Sequence, residues 1–156
     1  MKIKWKTLLV CIAIPLLVGG LAGFISKNSM SSFALLNQPW LSPPGWLFPV
    51  VWTILYILMG IASFLILTSN APQESIDSAI KLYGLQLLFN FFWTIWFFNL
   101  HLYFFSFIWL IALWLLIIAT TLSFSRISKL ATYLMVPYLL WVTFAAYLNL
   151  SIALLN

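Results

Sequence analysis

The chain has 156 residues, 65% of them hydrophobic and only 6% charged, against roughly 25% charged residues in an ordinary soluble domain. Seven Lys and Arg against two acids give a net charge of +5. These cations sit near the ends of apolar runs instead of forming a patch, which excludes nucleic acid as the partner and points to a bilayer surface.

A span needs about 20 apolar residues to cross a hydrocarbon core of roughly 30 Å. The length therefore accommodates one domain, 1–156, and no soluble domain beside it. Hydropathy predicts an all-α integral membrane bundle of five transmembrane helices, at about 5–25, 45–67, 79–99, 102–124 and 130–155. Runs this long leave helices instead of barrel strands, which alternate every second residue.

The first element opens Met1-Lys2-Ile3-Lys4-Trp5-Lys6, a basic start that also resembles a secretory signal. The run from Thr7 to Ile25 is long for such a signal, and an intact first span is expected. Cys11 lies inside it as the one cysteine, so no internal disulfide can form and a packing role is expected. Gly19 and Gly23 form a small-xxx-small pair suited to close helix packing. The connection 26–44 carries Phe33, Leu35, Leu36, Trp40 and Leu41 beside Pro39, Pro43 and Pro44. That is too apolar for a free linker and predicts a lid folded onto the helix ends.

The connection 68–78 holds both acids, Glu74 and Asp77, and reads as a solvated turn; Asn99 and His101 mark a third turn and 125–129 a fourth. Five spans place Lys2, Lys4, Lys6, Lys81, Arg126 and Lys129 on one side and Lys27 on the other. In a bacterial cytoplasmic membrane that asymmetry puts the N-terminus inside.

No Asp, Glu, Lys or Arg lies deep in a span, which argues against proton relays, voltage sensing and most ion-coupled transport. Paired carboxylates, a catalytic triad and a metal site are absent by the same count, since Cys11 and His101 stand far apart. What remains is 9 Trp, 14 Phe and 6 Tyr with a few amides. Trp5, Trp46, Tyr83 and Tyr103 fit interfacial belts. Helical spacing sorts the deeper residues into three stripes: Trp52, Tyr56, Met59 and Ser63; Gln86, Asn90, Trp93 and Phe97; and Trp141, Ala145, Leu148 and Ile152. An unpaired amide in hydrocarbon costs several kcal/mol, so Asn90 must face a helix or a ligand. Either the amides and tryptophans only tie helices together, or they line a pocket whose aromatic walls stack on a flat apolar ligand.

From Gln38 the chain reads Gln-Pro-Trp-Leu-Ser-Pro-Pro-Gly-Trp-Leu-Phe-Pro-Val-Val-Trp-Thr-Ile-Leu-Tyr, ending at Tyr56. This resembles the signature of the translocator protein family, the TspO or tryptophan-rich sensory proteins, also known as peripheral-type benzodiazepine receptors. The runs Leu88 to Trp93, Val136 to Trp141 and Phe144 to Asn149 resemble the same family's third and fifth helices. The resemblance implies a five-helix bundle, commonly a homodimer, with a pocket under the first loop and open toward the membrane. It implies binding of tetrapyrroles such as protoporphyrin IX and haem, with no required cofactor, and a sensory, stress-regulatory or transport role. By position, Trp52 and Asn90 would donate to a ligand carbonyl, and Tyr56, Trp93, Trp141 and Ala145 would line the walls. Gln86 shares the Asn90 stripe, while Trp40, Pro43 and Pro44 would shape the lid.

Some bacterial relatives degrade protoporphyrin in light, so the resemblance also admits a porphyrin-degrading enzyme with Trp52 and Trp141 as its catalytic pair. A small transporter or assembly factor without tetrapyrrole binding is the third alternative. Metal-free porphyrin asks only for stacking and shape, whereas haem would want an axial ligand, for which His101 is the candidate. Sterol transport is not carried over: no Lys or Arg follows Tyr147, and the reversed pattern of Lys129, Tyr133 and Val136 is a weak motif.

Overall fold

The computed structural model describes residues 4–30, 33 and 35–156. Lys2 of the basic start, and Ser31, Ser32 and Ala34 of the expected lid, lie outside the described residues. Among the described residues five helices form the fold: α1 (Trp5–Met30), α2 (Leu47–Leu67), α3 (Gln73–Thr94), α4 (Tyr103–Ser125) and α5 (Lys129–Leu155). A π-helical turn, Ile95–Asn99, continues α3. Around the bundle the order is α1, α2, α5, α4, α3, with α3 closing back onto α1.

The outer faces are apolar. Leu9, Leu17, Leu21, Ile108, Leu115, Leu122, Leu140 and Leu154 are all exposed. In water such a surface would aggregate; against lipid tails it is the expected exterior. The interior is packed around Met59, Ile66, Leu113, Ile117, Met135 and Val142, each with no exposure.

Among the described residues, four helices are long and apolar enough to cross a membrane, spanning Trp5–Ser29, Leu47–Leu67, Tyr103–Ser125 and Lys129–Leu155. Helix α3 is not among them, so length and hydropathy within the helices mark four of the five expected spans. The cause is its start. It begins at Gln73 and takes Glu74, Asp77 and Lys81 into its first turns, where 68–78 was expected to be a turn. Glu74 in the first turn complements the helix dipole, and Gln73 Nε2 donates to Asp77 Oδ1 at 2.7 Å along the same face.

Helix α1 likewise runs past the expected end at Ile25 to Met30, with Lys27 in its last turn, so the lid is shorter than 26–44. The lid is tied to the end of α5. Tyr147 Oη donates to the Trp40 carbonyl at 2.6 Å, Asn156 Nδ2 to the Asn37 carbonyl at 3.0 Å, and the Asn37 amide to Asn156 Oδ1 at 3.1 Å. Leu41 turns the chain there with φ 71°. At the opposite end Ser128 caps α5 by accepting from the Ala131 amide at 3.2 Å.

Two glycines set how closely α1 approaches α2. A Cβ at Gly60 would lie 2.7 Å from the Cys11 carbonyl oxygen and from Ile12 Cα, and one at Gly19 would run into the Tyr56 ring. Of the expected belt residues, Trp5 and Trp46 are exposed, whereas Tyr83 is buried and stacks on Phe124 at 6.1 Å. Tyr83 is a packing residue: its stripe turns inward toward α4.

Candidate functional site

A cavity of about 460 Å³ lies in the lid half of the bundle. Helix α1 gives it a smooth wall of Leu16, Gly19, Gly20, Ala22 and Gly23; α2 contributes Phe48, Pro49, Trp52, Thr53 and Tyr56. The end of α3 and the π turn supply Trp93, Thr94, Phe97 and Phe98, and α5 supplies Trp141, Ala145, Leu148, Asn149 and Ile152. Phe33 and Gly45 close it from the lid. No charged side chain is among its described lining residues. Cβ atoms built at Gly20, Gly23 and Gly45 would meet nothing within 4 Å, so their missing side chains are part of the open volume.

The aromatic walls brace one another. Trp52 stacks on Tyr56 at 5.6 Å, meets Trp141 edge-on at 6.4 Å and 89°, and leans on Trp93 at 6.4 Å. Phe48 lies edge-on to Trp141 at 5.8 Å, and Phe33 reaches from the lid to Phe48, Phe97 and Phe98. The π turn allows Phe97 and Phe98 to line the cavity together, because its wider pitch shifts the face by one residue. Trp93 is fixed at its polar edge: Nε1 donates to Asn149 Oδ1 at 3.0 Å, and Asn149 Nδ2 donates to the Tyr103 carbonyl at 2.9 Å. Trp141 Nε1 differs. It is buried and has no hydrogen-bond partner among the described residues.

Behind the Tyr56 wall runs a buried polar chain. Tyr56 Oη donates to Asn90 Oδ1 at 2.9 Å, Asn90 Nδ2 to Tyr138 Oη at 2.8 Å, and Tyr138 Oη to Gln86 Oε1 at 2.6 Å. Three helices, α2, α3 and α5, are joined this way through side chains closed off from the surface, where each bond satisfies a group that would otherwise be costly.

The three stripes all turn inward, and the cavity gathers Trp52, Tyr56, Trp93, Trp141 and Ala145. Asn90 and Gln86 do not line it; they sit one layer behind, bonded to tyrosines. Trp40, Pro43 and Pro44 do not line it either. Trp40 is 80% exposed and contributes its carbonyl to the lid tie. Trp109 and Trp114 tie helices, donating to the Phe89 carbonyl and Thr143 Oγ1, and Trp96 packs with Trp109 and Phe105.

Sequence reasoning missed Asn149 and Tyr138. Both carried a readable signal: Asn149 stands four residues after Ala145 on the α5 stripe, and Tyr138 three before Trp141. Phe33, Phe98 and the glycine wall of α1 carried none, because their place depends on the lid, the π turn and the opposite helices.

Fold and site together define an integral membrane protein: a helical bundle with an apolar exterior and an aromatic-walled cavity under a tethered lid. The chain belongs to the TspO/MBR family, whose model matches residues 11–155. It is 40% identical to a tryptophan-rich protein TspO of Chlorobaculum tepidum over 96% of each chain. It is 38% identical to a tryptophan-rich sensory protein of Cereibacter sphaeroides over 78% of this chain and 74% of that one, and 32% identical to a translocator protein of Sus scrofa over 85% and 82%.

Proposed function

We propose that this protein binds tetrapyrroles, protoporphyrin IX before haem, within the membrane and serves a sensory or transport role. The carrying observation is the cavity of about 460 Å³, walled by Trp52, Trp93, Trp141 and four phenylalanines. Its size falls in the range of roughly 300–1,000 Å³ usual for small-molecule sites, and its aromatic faces favour a flat π-system. The unpartnered Trp141 N–H suits a ligand acceptor, since a buried donor left unpaired costs about 1–3 kcal/mol. The role follows the names of the relatives, a sensory protein and a translocator protein.

The chain crosses the bilayer five times, because α3 packs between α1 and α4 in the same bundle and has to share their solvent. Its N-terminus lies on the cytoplasmic side of a bacterial membrane, and it forms homodimers, as the family resemblance implies.

Titration of the purified protein with protoporphyrin IX tests the reading through quenching of tryptophan fluorescence. Saturable quenching is expected. Gly23→Leu, which fills open space without touching another atom at its Cβ, should weaken binding at least tenfold; equal affinity would remove the cavity from the account.

A second reading, photo-oxidative degradation, is favoured by the perpendicular contact of Trp52 with Trp141 in one wall. Illumination with oxygen should then bleach bound porphyrin faster than free porphyrin, and Trp141→Phe should slow it. Equal bleaching of bound and free porphyrin rejects catalysis.

A further inference from the structure

We propose that Lys27 is the anion-recognition residue of this cavity: its ammonium pairs with a carboxylate on the edge of an otherwise flat, apolar ligand, so that the ligand's acidic edge faces the lid. This rests on the tetrapyrrole reading above and adds to it an orientation and a substrate class.

The cavity has no charged group to receive a carboxylate. Its polar members are hydroxyl, amide and indole groups, and most are engaged: Thr53 Oγ1 with the Pro49 carbonyl, Asn149 with Trp93 and Tyr103, Tyr56 with Asn90. A carboxylate placed among them would be desolvated without a counter-charge, at a cost of several kcal/mol. An acidic ligand therefore has to leave its carboxylates at the mouth.

Charge at the mouth is scarce. Lys4 and Lys6 at the start of α1, Glu74, Asp77 and Lys81 at the start of α3, and Arg126 and Lys129 between α4 and α5 all lie at the end away from the lid. Among the described Lys, Arg, Asp and Glu residues, Lys27 alone stands at the lid end. Both acidic side chains of the protein are at the other end, so no acidic side chain neutralises Lys27.

Lys27 is also on the right face. It lies four residues after Gly23 and seven after Gly20, which places the three on one stripe of α1. Both glycines line the cavity, and a Cβ at either would meet nothing within 4 Å. The stripe thus carries the cavity's α1 wall toward Lys27, which stands just beyond the lining residues. The ammonium is held 4.4 Å above the Phe24 ring centroid, a contact that steadies the charge while leaving it available to an anion.

A competing account gives Lys27 no ligand role: a cation in the last turn of a helix complements its dipole, and a lysine at an interface anchors it to headgroups. That account treats acidic and esterified ligands alike, and this difference decides the matter.

The experiment titrates purified protein in neutral detergent at low salt with protoporphyrin IX and with its uncharged dimethyl ester. The wild type, Lys27→Gln and, as a control at the other end, Lys81→Gln are compared. Lys27→Gln should weaken protoporphyrin about fivefold, the upper range for a solvent-accessible ion pair, and leave the ester within about twofold. Lys81→Gln should move neither, and added salt should erode the wild type's preference for the acid. If Lys27→Gln weakens both ligands equally, Lys27 is structural. If it weakens neither, Lys27 serves only headgroups, and either result overturns the proposal alone. If the wild type binds neither ligand, the tetrapyrrole reading falls and this one with it.

Discussion

The hydroxyl of Tyr138 accepts from Asn90 Nδ2 at 2.8 Å and donates to Gln86 Oε1 at 2.6 Å, with no exposure to solvent. Replacing it by Phe removes both bonds at once and leaves an amide donor and an amide acceptor buried. Tyr138→Phe should cost about 1–3 kcal/mol, read as a lower midpoint of thermal unfolding in detergent. Porphyrin affinity should change less than in Gly23→Leu, because Tyr138 stands behind the wall and not in it. An unchanged midpoint would show that the chain of amides and phenols does not hold the bundle. The interior position of Asn90 was legible in the sequence because an amide in hydrocarbon must find a partner. The identity of the partner was not, since Tyr56 and Tyr138 reach it from other helices, and nothing in a linear pattern says whether a ligand or a phenol takes the bond.

Between elements, the closest approach is that of α1 to α2 at Gly60. A methyl group there would sit 2.7 Å from backbone atoms of Cys11 and Ile12, and backbone cannot swing aside as a side-chain tip can. Gly60→Ala should therefore separate the two helices and destabilise the protein by about 1–3 kcal/mol. Gly84→Ala, where a Cβ meets nothing within 4 Å in the middle of α3, should be neutral or stabilise by up to about 1 kcal/mol through helix propensity. Thermal unfolding of the pair makes the comparison; equal effects would mean that helix propensity and not close packing sets the response. Helices α2, α4 and α5 were readable nearly to their ends, since apolar residues continue to the point where the helix stops. The early start of α3 and the extension of α1 were not. Hydropathy measures the solvent a segment prefers, and Gln73 to Asp77 is a polar stretch that is nevertheless helical. The π turn leaves no hydropathy signal at all, although it decides which aromatics reach the cavity.

For the whole molecule, whether α3 crosses the bilayer decides the topology, and the placement of the basic residues decides the orientation. Its first turns are polar, yet α1 and α4 flank it, and its later residues Trp93, Phe97 and Phe98 line the same apolar cavity as α2 and α5. If α3 crosses, the turn before it and the turn after it lie on opposite sides of the membrane; if it does not, they lie on the same side. Asn70 and His101 are exposed residues in those two turns, so single cysteines can be placed there in a Cys11→Ala background. The basic residues Lys4, Lys6, Lys81, Arg126 and Lys129 cluster at the Asn70 end, which the positive-inside rule assigns to the cytoplasm. A membrane-impermeant maleimide should therefore label His101→Cys in intact cells and Asn70→Cys only in inverted vesicles. Labelling of both from one side would mean that α3 does not span, and would overturn the five-span topology. A clean exchange of the two patterns would keep five spans and reverse the orientation, moving the lid, Lys27 and the cavity mouth to the cytoplasmic face, where any acidic ligand would then have to enter.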